Sequence, residues 1–182
     1  LKGEFQLQNA SGVLAWLDWQ KDFKVTQSAI EQGLKNVSHK GRLDLRYFND
    51  QAWLFDVAHN PHAVKQLAHW LEQENQVYQN KPVAIFAAFA DKDVKTMIEL
   101  MKDHVAQWVF LDLRPESRAL DPNIMFKFVN EIQEADDPLE AYLAKTSQQA
   151  LEFAIETKLK RVVIFGSFIT AGTMLKELER HG

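Results

Sequence analysis

The side chains most able to do chemistry lie in one short stretch between an apolar strand and a helix. Residues 53–57 are apolar apart from Asp56, which predicts a buried strand with a carboxylate near its carboxyl end. Asn60 can cap a helix whose first residue is Pro61, and His59 falls in the turn before it. Ligands bind at this edge of open α/β sheets, and a helix N-terminus favours anions. The stretch is therefore a candidate ligand site, although Asp-x-x-His alone also suits a simple turn.

Polar residues also follow the other apolar segments of the chain. Lys92 comes after segment 82–89, and Ser167 comes after segment 161–165. Arg118 lies in the polar loop behind a third apolar segment. Because parallel strands end at the same edge of a sheet, we expect these side chains near the first stretch, as a ligand site requires. Structural roles stay open as alternatives: Lys92 can form a surface ion pair, and Ser167 can cap the last helix.

Strands alternate with amphipathic helices along most of the chain, which predicts an α/β fold. The pattern indicates a Rossmann-like, mostly parallel sheet with helices on both faces. Leu43, Leu45 and Tyr47 alternate with polar residues, as in a half-buried strand. Residues 136–138 indicate a turn, and residues 139–143 are expected to form one helical turn.

The N-terminal residues form a separate predicted unit. A helix is predicted over residues 9–20, and Thr26 can cap a second helix. A turn that contains Gly41 follows these helices and marks the boundary. We therefore divide the chain into a helical unit, 1–39, and an α/β domain, 40–182.

Composition excludes several classes of protein. The 182 residues carry a formal net charge of −4 without a basic stripe, which argues against nucleic-acid binding. No apolar run approaches the ~20 residues that span a membrane. Cysteine is absent, so the chain has neither disulfides nor thiolate metal sites, as is common in the cytosol. No signal peptide is visible, and we expect a cytoplasmic protein.

Five short segments, in the same order along the chain, carry a resemblance to a known family. They are Gln6-x-x-Asn9-Ala10, Gly41-Arg42-Leu43, Asp56-Val57-Ala58-His59-Asn60-Pro61, Ala90-Asp91-Lys92-Asp93 and Gly166-Ser167-Phe168. Together they resemble the C-terminal part of folylpolyglutamate synthase/dihydrofolate synthase, a ligase of the Mur ligase superfamily. The resemblance implies an ATP-dependent enzyme that phosphorylates a dihydropteroate or folate carboxylate. The amine of L-glutamate then attacks the acyl phosphate, and an amide forms.

The resemblance implies ATP contacts for three residues. Asn9 matches a position that contacts adenine, and Asp56 matches an acid that accepts hydrogen bonds from the ribose. Arg42 matches an arginine that reaches the phosphates, a role that suits its fixed charge and forked donors.

For the amino-acid substrate the resemblance points to other residues. His59 and Ser167 match positions near the incoming glutamate, where donors must hold a carboxylate and leave the amine free. His59 and Lys92 are the candidates for catalysis. None of these residues is expected to bind a metal ion.

The resemblance also implies a missing part and further partners. No Gly-x-x-x-x-Gly-Lys-Ser/Thr segment occurs, so the phosphate cradle and the Mg²⁺ ligands are expected in an N-terminal P-loop domain of a longer chain. Residues 1–39 are then the end of a central ATP-binding domain. The fragment alone is expected to be monomeric and inactive, and the folate substrate is dihydropteroate or tetrahydrofolate. A Mur-type peptide ligase domain and a non-catalytic Rossmann-like binding module remain alternatives.

Overall fold

The computed structural model describes residues 5–114, 116–132 and 138–181. The helices in these ranges are α1 (Phe5–Trp19), α2 (Gln27–Asn36), α3 (Pro61–Tyr78), α4 (Val94–Met101), α5 (Pro122–Ile132), α6 (Ser147–Glu156) and α7 (Phe168–His181). The strands are β1 (Asp44–Phe48), β2 (Gln51–Phe55), β3 (Val83–Phe86), β4 (Gln107–Leu111), β5 (Glu140–Ala144) and β6 (Arg161–Phe165). A short 3-10 helix, Lys102–His104, follows α4.

The strands form one sheet in the order β1-β2-β6-β3-β4-β5. Strand β1 pairs antiparallel with β2, and the other neighbouring pairs are parallel. Asn49 (φ 49°) and Asp50 (φ 59°) join β1 to β2, and two consecutive positive φ angles characterise the type I′ turn of a tight hairpin. The predicted α/β, mostly parallel fold is confirmed.

Helices cover both faces of the sheet. On one face α3, α4 and α5 pack against side chains that include Phe86, Phe110 and Phe165. On the other face α6 and α7 pack against the alternate residues of the same strands, such as Ile85 and Val109. Side chains alternate between the faces of a strand, so strands that are apolar throughout suit a sheet covered on both sides.

The prediction of a helical turn at residues 139–143 was wrong. Residues Glu140–Ala144 form β5, which pairs in parallel with β4 from Gln107 to Leu111. Alanine and leucine favour helices locally, but pairing with β4 places Tyr142 against Phe153 of α6 and overrides that preference. The predicted turn at 136–138 falls mainly outside the described residues.

The expected burial of β1 is correct only in part. Leu43 lies just before the strand and is buried, and Leu45 is half-buried. Tyr47, which alternation placed on the same face, is 76% exposed. Strand β1 is an edge strand of the sheet, and near its C-terminal end the Tyr47 side chain is open to solvent.

Helices α1 and α2 lie outside the buried core. The described residues between positions 6 and 40 include no buried side chain, and the two core clusters contain no residue before Leu43. Val13 and Trp16 of α1 are 54% and 51% exposed. The division into 1–39 and 40–182 stays a prediction. No helix within the described ranges is long and apolar enough to cross a membrane.

Candidate functional site

The strand order creates crevices on both sides of β6. The loop after β6 leads to α7 on one face, whereas the loops after its neighbours β2 and β3 lead to α3 and α4 on the other face. Loops that diverge from adjacent parallel strands open a crevice at the carboxyl edge of the sheet, where ligands bind in such folds. The candidate residues after β2, β3 and β6 therefore come from three neighbouring strands.

Asp56 is the most deeply embedded of these candidates. It directly follows β2 and is 7% exposed. One carboxylate oxygen accepts the N–H of Leu43 (3.0 Å), and the other accepts the N–H of Ala58 (2.8 Å). Burial raises the pKa of Asp56, and the two backbone hydrogen bonds and the charge of Arg42 oppose this shift. The carboxylate thus joins the end of β2 to the segment before β1.

That segment, residues 41–43, has an unusual backbone. Gly41 (φ 73°) and Leu43 (φ 45°) both have left-handed conformations, one on each side of Arg42. A Cβ atom on residue 41 would lie 2.9 Å from a methyl carbon of Val57, so glycine is needed there for space as well as for its φ angle. The Gly41 carbonyl accepts the N–H of Val57 at 2.8 Å. Hydrogen bonds therefore fix the backbone on both sides of Arg42, whereas the Arg42 side chain itself is exposed.

A cleft between α1 and α3, the α1–α3 cleft, brings the three predicted ATP residues together. Its volume is about 210 Å³, and its lining includes Gln8, Asn9, Arg42, Asp56, His62 and Gln66. An amide, a guanidinium and a carboxylate that share a cleft offer donors and acceptors to a polar, anionic ligand. His59, Lys92 and Ser167 are not among its lining residues.

Most of the chain matches a known protein family. The model described as "Mur ligase, glutamate ligase domain" matches residues 41–168. The chain belongs to this family. The match begins at the glycine that starts the 41–43 segment and ends just after Ser167, so it contains all the candidate residues except Asn9.

Relatives of this Mur ligase domain carry names from folate metabolism, and the resemblance to folylpolyglutamate synthase/dihydrofolate synthase is confirmed. A probable dihydrofolate synthetase of Schizosaccharomyces pombe is 29% identical over 189 residues, which cover 98% of this chain and 44% of that protein. The Mycobacterium tuberculosis folylpolyglutamate synthase complexed with ADP and AMPPCP has a TM-score of 0.83 and 24% identity, over 98% of this chain and 41% of that one.

A further structure has the same fold. It is a bifunctional folylpolyglutamate synthase/dihydrofolate synthase with Mn, AMPPNP and L-glutamate bound. Its TM-score is 0.69 at 24% identity, over 87% of this chain and 36% of that one. The chain spans 44% and 39% of the length of two curated relatives that it matches.

His59 of the Mur ligase domain is fixed by its own turn. Its Nδ1 lies 2.8 Å from the Val57 carbonyl oxygen. Because a carbonyl only accepts, Nδ1 carries a hydrogen and Nε2 is left for another partner. Nε2 accepts a hydrogen bond when the ring is neutral and donates one when the ring is protonated. The side chain is half-buried, and Asn60 caps α3 beside it by accepting the N–H of Ala63 (2.9 Å), as predicted.

Ser167 both caps α7 and belongs to a short hydroxyl chain. The Thr170 hydroxyl donates to the Ala87 carbonyl (2.8 Å), which uses its only proton. In the 2.7 Å contact between the two hydroxyls Ser167 is therefore the donor. Ser167 Oγ also accepts the Thr170 N–H at 2.9 Å. In this arrangement Ser167 has no proton left for a carboxylate, and its remaining capacity is that of an acceptor.

Lys92 lies in a surface ion network that spans two loops. Its Nζ is 3.1 Å from one oxygen of Asp91, and the Arg118 guanidinium contacts both Asp91 oxygens at 2.9 and 3.1 Å. These two cations hold the pKa of Asp91 below its usual range. Arg118 also lies over the Phe89 ring, 4.7 Å from its centroid. The ion pair considered as an alternative for Lys92 is therefore present, and it leaves the ammonium group partly exposed.

Metal-binding chemistry has no support in this part of the molecule. Within the described residues no group of three or more His, Asp or Glu side chains could hold a metal ion.

Three side chains that contact or accompany the candidate residues were not assigned a role from the sequence. Thr170 orients Ser167, Asp91 holds Lys92, and His62 lines the α1–α3 cleft. Two of them had a local signal: Thr170 stands three residues after a predicted cap, and His62 stands in the first turn of α3 beside Asp56. Asp91 was recognised only as a neighbour of Lys92.

Proposed function

We propose that this chain is the glutamate-ligase segment of an ATP-dependent dihydrofolate synthase or folylpolyglutamate synthase. The complete protein transfers the γ-phosphoryl group of ATP to a carboxylate of dihydropteroate or a folate, and ADP leaves. The amine of L-glutamate attacks the resulting acyl phosphate, loses a proton and displaces phosphate, so that an amide forms. The phosphate cradle and the magnesium ligands belong to the N-terminal part of the longer chain.

One observation carries this proposal: Asn9, Arg42 and Asp56 line a single cleft although they come from three different elements. The amide of Asn9 suits the donor and acceptor edge of adenine, and the buried carboxylate of Asp56 can accept from ribose hydroxyls. The exposed guanidinium of Arg42 suits phosphate oxygens, because its planar fork pairs with two of them at once. The cleft volume of about 210 Å³ suits part of a nucleotide. We expect the rest of the nucleotide to contact the N-terminal part of the longer chain.

The glutamate side of the proposal uses the residues after β2, β3 and β6. Lys92 offers a charged donor for a carboxylate, and His59 offers Nε2 for the same purpose when protonated. Ser167, whose proton is directed to Thr170, is suited to accept an N–H from the substrate amine. An acceptor at that position orients the amine lone pair towards the acyl carbon.

The test is a coupled assay of ADP release by the complete natural protein. ATP, L-glutamate and either dihydropteroate or tetrahydrofolate are supplied together and then omitted one at a time. We expect release only when ATP, a pterin acid and L-glutamate are all present. Release that depends on a muramoyl peptide substrate in place of the pterin acid would indicate a Mur-type peptide ligase, and no release with any acid would favour a binding module.

A matched pair of variants links that activity to the cleft. Arg42→Ala is expected to lower kcat/KM for ATP by roughly tenfold to hundredfold, as expected for losing a charged hydrogen bond. Arg46→Ala is the control, because Arg46 is an exposed arginine of the adjoining strand β1 that pairs with Asp44 and does not line the cleft. Equal effects of the two variants would contradict the assignment of Arg42.

A further inference from the structure

Asp56 is engaged by the protein before any ligand arrives. Both of its oxygens accept backbone N–H groups, those of Leu43 and Ala58, at 3.0 and 2.8 Å. Only 7% of the residue is exposed to solvent. A carboxylate that served only to meet a nucleotide would have no need of both contacts. Its position therefore indicates a second task inside the protein.

Asp56 binds the 41–43 segment, whose backbone conformation at Leu43 is not one that leucine prefers locally. Leu43 has a φ of 45°, which a branched apolar residue rarely adopts, and Gly41 has a φ of 73°. Two local hydrogen bonds hold this backbone, from the Gly41 N–H to an Asp44 carboxylate oxygen (3.4 Å) and from the Arg42 N–H to the His39 carbonyl (3.2 Å). Two anchors tie it to the end of β2: the Asp56–Leu43 hydrogen bond and the Val57–Gly41 hydrogen bond (2.8 Å). The buried Leu43 side chain is a third anchor. All three lie within two residues of Arg42, whose exposed side chain lines the α1–α3 cleft.

We propose that Asp56 is a positioning residue for Arg42, which fixes the 41–43 segment so that the guanidinium meets the phosphates of the nucleotide. This inference rests on the proposed function and deepens it, because it gives the buried carboxylate a role that is independent of the ribose. Without Asp56 the Leu43 N–H loses its acceptor, and the left-handed backbone at Leu43 is free to relax. Arg42 then samples orientations that do not reach into the cleft.

The two roles of Asp56 differ in their dependence on the ribose hydroxyls. A pure ribose contact matters only for nucleotides that carry those hydroxyls. A positioning role matters for every nucleotide with a triphosphate. The complete natural protein with Asp56→Asn should therefore be assayed with ATP and with 2′,3′-dideoxy-ATP. Asparagine has the same shape but keeps a single acceptor oxygen, so it cannot satisfy both backbone N–H groups.

We expect Asp56→Asn to lower kcat/KM about tenfold or more for 2′,3′-dideoxy-ATP, and by at least the same factor for ATP, because the ribose contact is lost as well. With 2′,3′-dideoxy-ATP the loss in the double variant Asp56→Asn/Arg42→Ala should not exceed that of Arg42→Ala alone, because both changes then remove the same interaction. Asp50→Asn is the matched control: it makes the same chemical change in the hairpin turn at the other end of β2, far from the cleft. A loss restricted to ATP, or losses that add in the double variant when it is assayed with 2′,3′-dideoxy-ATP, would overturn the positioning role.

A second variant and a second measurement keep the inference testable if Asp56→Asn folds poorly. Gly41→Ala leaves Asp56 intact but places a Cβ 2.9 Å from the Val57 side chain, so it should displace the segment and impair both nucleotides equally. Hydrogen exchange at the Leu43 amide reports the anchor without any activity. Faster exchange in Asp56→Asn but not in Asp50→Asn is expected, and unchanged exchange would refute the anchor. A wild-type protein that uses no ATP while Leu43 is protected would contradict the proposed function and spare the anchor.

Discussion

Replacing Gly166 by alanine should destabilise the sheet at the point where β6 ends. Gly166 has a φ of 112°, which L side chains rarely adopt. A Cβ atom there would lie 2.3 Å from the Ala87 carbonyl oxygen and 2.7 Å from a carbon of the Phe86 ring. The nearest obstacle is backbone of the adjacent strand end, which cannot rotate away. The Ala87 carbonyl also accepts the Thr170 hydroxyl, so its displacement would disturb the cap of α7.

Two costs add in this variant. An L-residue held in a sparsely populated backbone region costs about 1–3 kcal/mol. Overpacking of a rigid, buried site costs about another 1–3 kcal/mol. The expected loss in the free energy of unfolding is therefore roughly 2–6 kcal/mol, a large fraction of the ~5–15 kcal/mol that stabilises a typical domain.

Gly172→Ala is the matched control for this measurement. Gly172 lies inside α7, and nothing stands within 4 Å of a Cβ atom built on it. Alanine is favoured over glycine in a helix by about 0.5–1 kcal/mol, so this variant should be as stable as the wild type or more stable. Urea unfolding followed by the fluorescence of the buried Trp53 and Trp108 compares the three proteins. A Gly166→Ala variant within about 0.5 kcal/mol of the wild type would refute the reasoning, since surface changes without such conflicts fall in that range.

The remaining predictions concern three side chains of the carboxyl edge and the activity of the isolated chain. His59→Ala should raise the KM for glutamate about tenfold to hundredfold in steady-state kinetics and spare the KM for ATP; the reverse pattern would contradict the glutamate assignment. Burial raises the pKa of Asp56, so its contribution to stability is full below its unfolded pKa of about 3.9 and is lost as pH rises through the folded value. The difference between the urea midpoint of the wild type and that of Asp56→Asn should therefore become smaller from pH 4 to pH 7. A difference that grows with pH would contradict a raised pKa of Asp56. Thr170→Val should cost about 1–3 kcal/mol because it leaves the Ser167 proton without an acceptor and the Ala87 carbonyl without a donor, whereas Thr170→Ser should cost less in the same urea unfolding measurements. Finally, the 182-residue chain alone should release no ADP from ATP in the coupled assay, whatever acid is added, because it lacks a phosphate cradle.

Features determined by neighbouring residues could be predicted from the sequence. Thr26, Asn60 and Asp93 each accept the backbone N–H three residues later, as expected of N-caps. Asn49 and Asp50 form the hairpin turn that their residue types favour. Such features are predictable because the interacting groups lie within one helical turn of each other along the chain.

Features determined by distant residues could not be predicted in the same way. Strand β5 was missed because its state depends on pairing with β4, about thirty residues earlier, and not on its own helix-favouring residues. The two hydrogen bonds of Asp56 illustrate the same limit: the Ala58 contact is local, but the Leu43 contact spans 13 residues and requires a left-handed leucine. The sequence therefore identified Asp56 as a candidate but gave no sign of its attachment to the Arg42 segment.

The strand order gives the candidate residues an arrangement that their chain order lacks. Strand β6, the last in the sequence, lies between β2 and β3, so Ser167 stands between His59 and the loop of Lys92. The proposed nucleotide residues, Arg42 and Asp56, lie on the β1–β2 side of this group. Along the edge of the sheet, the proposed phosphate contact is thus followed by His59, Ser167 and Lys92, so the two proposed carboxylate contacts flank the proposed amine acceptor. In the proposed reaction, phosphoryl transfer and amine attack occur at the same acyl group, and this order would place the nucleotide residues on one side of it and the glutamate residues on the other.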